Sequence, residues 1–159
     1  MEKINQANEA AKEIEVLEFR AGGNSYGINV NDIREILPYN KKPIVIHNAH
    51  PYIEGIIKPR DFIISIINIV KCLKLTNSDE YKNEMLIVTS INNLNVAFHV
   101  DSVKGIYRVL SSDIVKPGKK VTTSFKEAVE GVMTQDDREI EILNYRTIMK
   151  EVNPDINVG

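Results

Sequence analysis

This chain has one cysteine, no long apolar run, no concentration of positive charge and a single glycine-rich stretch. The lone thiol, Cys72, cannot form an internal disulfide, which agrees with a reducing cytoplasm. The longest apolar run, "FIISIINIVKCL", is too short to span a bilayer and is broken by Ser65, Asn68 and Lys71. No basic segment followed by an apolar one opens the chain, so no secretory signal is expected. Lysine and arginine are scattered and the net charge is −2. Nothing therefore concentrates phosphate-neutralising charge as nucleic-acid binding requires. The glycine-rich "AGGNSYG" joins two strand-like segments and lacks the Lys-Ser/Thr ending of a phosphate loop.

What is present fits a soluble protein of one domain or two small ones: 159 residues, 43% of them hydrophobic. Residues 1–13 are polar with clustered alanines, an expected peripheral helical segment. "EVLEFR" and "YGINV" alternate around Gly22, Gly23 and Asn24 and read as a hairpin. "NDIREIL" spaces Ile33, Ile36 and Leu37 for one or two helical turns behind Asn31 and Asp32. Strands are expected at 54–58 and 62–67, then a short helix from Asn68. Residues 76–84 read as a solvated linker. A second hairpin with Asn92-Asn93 at its tip follows, then a strand pair over 129–143 and a closing helix stopped by Pro154.

The second half repeats the first. "IEGIIKPRDFIISIINIV" (53–70) lies over "VEGVMTQDDREIEILNYR" (129–146) without a gap, sharing Glu54/Glu130, Gly55/Gly131, Asp61/Asp137, Ile64/Ile140, Ile66/Ile142 and Asn68/Asn144. Residues 15–37 lie over 85–107, with Ile28/Phe98, Val30/Val100, Ile33/Val103 and Ile36/Ile106 matching in kind. Two units of about five short strands each imply two small closed barrels, because closure removes exposed edges. Each unit has a marginal core, so the two are expected to pack apolar faces together.

No catalytic constellation can be assembled. His47 and His50 have no third metal ligand at fixed spacing, and His99 alternates against Phe98 and Val100 as a strand residue. Cys72 reads as a small core residue. Asp136 and Asp137 suit a hairpin turn, and Glu54 and Glu130 occupy equivalent places in separate units. A non-enzyme without cofactor or metal is expected: a binding module with medium apolar residues, among them Ile33, Ile36, Met85, Ala97, Val103 and Ile106, at equivalent places in both units. These line either the core between units or a shallow groove.

"FRAGGNSYGINVNDIREI", "IEGIIKPRDFIISIINI", "VAFHVDSVKGIYRV" and "VEGVMTQDDREIEILN", in that order, resemble the CheW-like coupling domain of bacterial chemotaxis over residues 14–151. Within that family the chain looks most similar to the amino-terminal domain of CheV proteins, whose receiver domain is absent here. Either a receiver is missing from this chain, or a CheW-type protein carries CheV-like residues. The resemblance implies two intertwined SH3-like five-stranded barrels around a shared apolar core, with related segments 15–73 and 85–149, and residues 152–159 as tail or linker. It implies a cytoplasmic scaffold at membrane receptor arrays, joining the cytoplasmic tip of a chemoreceptor to the regulatory domain of the histidine kinase CheA, with no membrane insertion. By the same resemblance Ile33, Glu35, Gly55, Arg60, Met85, Ala97, Val103 and Ile106 fall where the family binds receptor or kinase. "KPRD" replaces the usual "NLRG", and Asn68 and Asn144 stand where Asp is common. Glu35 is the expected partner of Arg60, whose planar guanidinium suits a two-point bond. The competing reading is a stand-alone barrel-type regulatory module without kinase coupling.

Overall fold

A computed structural model describes residues 12–75 and 83–154. Most of the expected N-terminal helical segment 1–13, most of the linker at 76–84 and the end of the C-terminal tail lie outside those residues, and Glu13 belongs to a strand. Ten strands form two five-stranded sheets. They are β1 (Glu13–Ala21), β2 (Asn24–Asn29), β3 (Glu35–Pro38), β4 (Ile53–Ile57), β5 (Ile64–Asn68), β6 (Met85–Ile91), β7 (Leu94–Val100), β8 (Ser102–Leu110), β9 (Val129–Gln135) and β10 (Arg138–Leu143). The first sheet runs β8-β1-β2-β10-β9 and the second β3-β6-β7-β5-β4. Short helices α1 (Ile69–Cys72) and α2 (Tyr145–Val152) follow β5 and β10.

The two sheets have the same plan, yet each is built from both halves of the chain. The first sheet takes its central hairpin β1–β2 from the first half and β8, β9 and β10 from the second. The second sheet reverses the assignment. The halves join at four pairings, the parallel ones of β2 with β10 and β7 with β5 and the antiparallel ones of β1 with β8 and β3 with β6. Where closed barrels were expected, the strand ladders are open: no ladder joins β8 to β9 or β3 to β4 among the described residues. The chain leaving β3 returns to β4 through one bridge, Ile44 with Ile56, and the chain leaving β8 returns to β9 through Val115 with Val132.

Central stretches of β1, β2, β6 and β7 are buried on both faces, whereas the edge strands β3 and β8 alternate between half-buried and exposed residues. Ile64 and Ile66 of β5 join Leu86, Val88 and Ala97 in a cluster private to the second sheet. Their counterparts Ile140 and Ile142 join Val16 and Met133 in the first sheet. The opposite faces meet in a shared cluster that includes Leu17, Phe19, Tyr26, Ile67, Phe98, Leu143 and the inward sides of both helices. Cys72 lies there fully buried, and burial pushes its thiol up to about 12.

The repeated asparagines cap the helices. Asn68 Oδ1 accepts from the Lys71 amide at 3.0 Å, and Asn144 Oδ1 accepts from the Arg146 and Thr147 amides at 3.0 and 3.3 Å. The helical turns expected over 31–37 are not formed. Asn29 caps a single 3-10 turn at Val30–Asp32, and Ile33 is extended. Glu35 to Pro38 then pair with Val88 to Met85 of β6. Sheet pairing overrides the local helical spacing. No helix among the described residues is long and apolar enough to cross a membrane.

The repeated Glu-Gly is also structural. A Cβ at Gly55 would lie 2.3 Å from the Ile44 carbonyl oxygen, and one at Gly131 would lie 2.5 Å from Ile114 Cγ2. Both glycines leave room for the returning segment to cross.

Candidate functional site

The turn between β4 and β5 places Arg60 beside β3. One nitrogen, Nη2, donates to both Glu35 oxygens at 2.6 Å. The expected partner is therefore present, while the two-nitrogen fork is not used. The Arg60 side chain is 59% exposed, so the pair itself stabilises by at most about 1 kcal/mol. The guanidinium carbons of Arg34 and Arg60 lie 4.5 and 5.7 Å from the Phe62 ring centre. Arg34 Nη1 donates to Asn95 Oδ1 at 2.5 Å. This corner thus presents two cations, one carboxylate and an aromatic ring.

Beside it opens a cavity of about 500 Å³ lined by Ile53, Phe62, Ile63, Leu94, Met149 and Val152 among others. Ile63 and Leu94 are exposed large apolar residues. Neither was singled out by sequence reasoning, because strand alternation alone does not show where a sheet face runs out of cover.

The remaining expected site residues are dispersed. Gly55 is buried beneath the Ile44 carbonyl and Ala97 is fully buried in the second sheet's cluster. Neither offers surface to a partner in this structure. Ile33, Met85 and Val103 are half-buried against the shared core. Ile106 is 53% exposed on β8, whereas Ile36 lies on β3 in the other sheet. The apolar residues at matching places therefore divide between core and two separate surfaces rather than forming one groove.

One polar cluster escaped the sequence reading. His99 of β7 is held between two carboxylates, Nδ1 to Glu54 Oε2 at 2.5 Å and Nε2 to Glu84 Oε1 at 2.9 Å. The Tyr39 ring stacks on it at 3.7 Å, and the Tyr39 hydroxyl donates to Glu54 Oε1 at 2.9 Å. Burial alone would lower the imidazole pKa, but the hydrogen bonds and charges of Glu54 and Glu84 outweigh it and raise it. Burial likewise opposes ionisation of Glu54, yet His99, Tyr39 and Lys71 hold its carboxyl below the ordinary value. The signal was His99 on the polar side of a strand; its partners lie far off in sequence. Glu130, the counterpart of Glu54, stands instead near Asp32 and Arg146, and burial and Asp32 raise its pKa. The repeat is thus symmetric in backbone and asymmetric in charge.

His50 Nδ1 accepts from the Tyr52 amide at 3.1 Å, a loop-closing role, and His47 is exposed. The surface presents an ionic and aromatic corner, an apolar cavity beside it, and an exposed apolar edge on β8.

The family model for the CheW-like domain matches residues 15–153. A chemotaxis protein CheW from Thermotoga maritima is 28% identical over 144 residues, covering 91% of this chain and 93% of that one. A chemotaxis protein CheV3 from Helicobacter pylori is also 28% identical, over 151 residues, which cover 88% of this chain but 48% of that protein. The chain is therefore as similar to CheW as to CheV. The scaffolding protein TtCheW from Thermoanaerobacter tengcongensis shares the fold, with a TM-score of 0.79 at 22% identity over 93% of this chain and 92% of that one.

Proposed function

This chain belongs to the CheW-like domain family, and from that premise we propose that it is a non-catalytic chemotaxis adaptor coupling chemoreceptors to the histidine kinase CheA. The observation that carries the reading is coverage: the chain is similar along nearly its whole length to nearly the whole of a protein named CheW. The partners proposed are the cytoplasmic tip of a receptor and the regulatory domain of the kinase, met at receptor arrays on the cytoplasmic side of the membrane. Each sheet is proposed to act as a small SH3-like barrel. The private core inside each sheet and the single bridge returning to its far edge support that description.

Among the expected contact residues, Arg60 and Ile106 are exposed, and Glu35, Ile33, Met85 and Val103 are half-buried beside them or against the core. The test is co-sedimentation of the purified chain with receptor signalling fragments and CheA, with kinase activity read in the same samples. The chain is expected to join both and raise receptor-controlled phosphorylation. Ile106→Asp is expected to weaken assembly without unfolding, because that side chain is half in water already. Receptor binding without kinase recruitment would make the chain a regulatory binding module instead.

A further inference from the structure

We propose that a cleft between β1, β8 and β10 binds a small phosphate-type dianion. The cleft has a volume of about 360 Å³ and is lined by Glu18, Arg20, Lys104, Tyr107 and Arg138. It lies on the first sheet, away from the Glu35–Arg60 corner on the second.

A register shift makes this cleft. Glu18 pairs with Gly105, but Phe19 pairs with Val103, leaving Lys104 as an extra residue in β8. Strict alternation would put Lys104 on the face of Ile106 and Arg108. The bulge re-aims it to the face of Glu18 and Arg20. Lys104 is exposed, and no described residue makes a hydrogen bond or ion pair with it.

The two guanidinium groups are held in place beforehand. Glu18, 1% exposed, accepts from Arg138 Nη2 at 2.7 Å and Nε at 3.3 Å, and Nη2 also donates to the Tyr107 hydroxyl at 3.2 Å. Nη1 of Arg138 is left for a ligand. Burial alone would raise the Glu18 pKa, yet hydrogen bonds from Arg138, Ser25 and Tyr107 outweigh it and keep the carboxyl ionised. Arg20 is anchored by neutral groups only, Nη1 to Ser25 Oγ at 3.0 Å and Nη2 to the Gly23 carbonyl at 2.8 Å.

Charge balance then selects the ligand. The lining holds three cations and one carboxylate, two more positive charges than negative, in a chain of net charge −2. The Asp101 carboxylate keeps its charge while accepting from the Gly22 amide, and it does not line the cleft. A structural ion pair would need only Glu18 and Arg138. Arg20 and Lys104 add what a dianion needs: fixed planar donors and one mobile ammonium.

The test is an amide and arginine-Nε NMR titration of the full chain at constant ionic strength, at a pH where phosphate is dianionic. Inorganic phosphate is expected to give saturable shifts at Gly23, Lys104, Gly105 and Arg138 Nε. Lys104→Gln should weaken binding about tenfold with the unfolding midpoint unchanged. Arg138→Gln is avoided, since it would strand the Glu18 carboxylate. Phenyl phosphate binding at least as well as inorganic phosphate would assign the site to a phosphate monoester; phosphate alone would assign it to the free anion. Non-saturating shifts, equal binding of acetate, or unchanged affinity in Lys104→Gln would overturn the proposal.

Discussion

Substituting alanine at Gly55 and at Gly131 separates two positions that the sequence repeat makes equivalent. At Gly55 the new methyl would lie 2.3 and 2.8 Å from the Ile44 carbonyl oxygen and carbon and 3.0 Å from Pro43 Cβ. Two of these obstacles are backbone, and the local φ of +151° is one that side chains rarely adopt. Relief requires breaking the Ile44–Ile56 bridge, whose two hydrogen bonds are both 2.9 Å. Those bonds are worth about 1 kcal/mol each, and the backbone strain adds about 1–3 kcal/mol. Gly55→Ala should therefore cost about 3–5 kcal/mol. At Gly131 the obstacle is a side chain, Ile114 Cγ2 at 2.5 Å, and the Val115 oxygen stays at 3.4 Å, ordinary contact. Moving Ile114 within its half-buried site should cost about 1–2 kcal/mol. Urea unfolding with an unchanged slope measures the difference, and amide exchange at Ile44 and Ile56 locates it. Equal losses at the two glycines, or native exchange rates at Ile44 and Ile56 in Gly55→Ala, would refute the crossing-segment argument.

Three further outcomes follow from the same geometry. His99→Gln should cost about 2 kcal/mol. Its raised pKa contributes stability that is complete below pH 6.5 and fades as pH rises through the folded value, while the lowered pKa of Glu54 contributes above pH 4.5 and fades as pH falls through its folded value. The wild-type advantage in denaturant melts should then be largest between those limits, and a pH-independent gap would contradict the linkage. For Glu35 and Arg60, a double-mutant cycle by thermal unfolding should give a coupling below about 1 kcal/mol. Because one nitrogen serves both oxygens, Arg60→Lys should keep most of it; complete loss would show a fork that the structure lacks. Residues 12–75 and 83–154 expressed separately should each fail to unfold cooperatively, and mixing them should restore near-ultraviolet circular dichroism, whereas an independently folded half would contradict the exchange of strands.

The polar sites were less legible than the strands because they depend on tertiary pairing. Glu35 with Arg60 was within reach, since a turn arginine next to a strand carboxylate needs only that two neighbouring segments pack together. Glu54 with His99 was not: one belongs to the repeated Glu-Gly phrase and the other to a strand in the opposite half. The parallel pairing of β5 with β7 brings them near each other. Nor was the Lys104 cleft legible, because a bulge changes the face of a side chain without changing its sequence pattern. Ile33 and Ile36 misled in the other direction, their helical spacing being real but outweighed by pairing with β6.

The repeat itself was plain, and it still concealed the architecture. Matched residues such as Ile64/Ile140 and Asn68/Asn144 establish that two segments have the same local structure and the same inward faces. They carry no information on which hairpin each segment lies beside, since swapped and unswapped arrangements bury identical sets of residues. In the swapped arrangement the parallel seams β2–β10 and β7–β5 both cross between halves. Neither sheet can then be completed until both halves are present, and the shared cluster forms on the same event. A chain whose individual units have marginal cores gains one cooperative structure in this way. That cooperativity also ties the exposed corner at Arg60, on a turn of the first half, to strand β6 of the second through β3. If the proposed partner grips this corner, it pulls on both halves of the molecule.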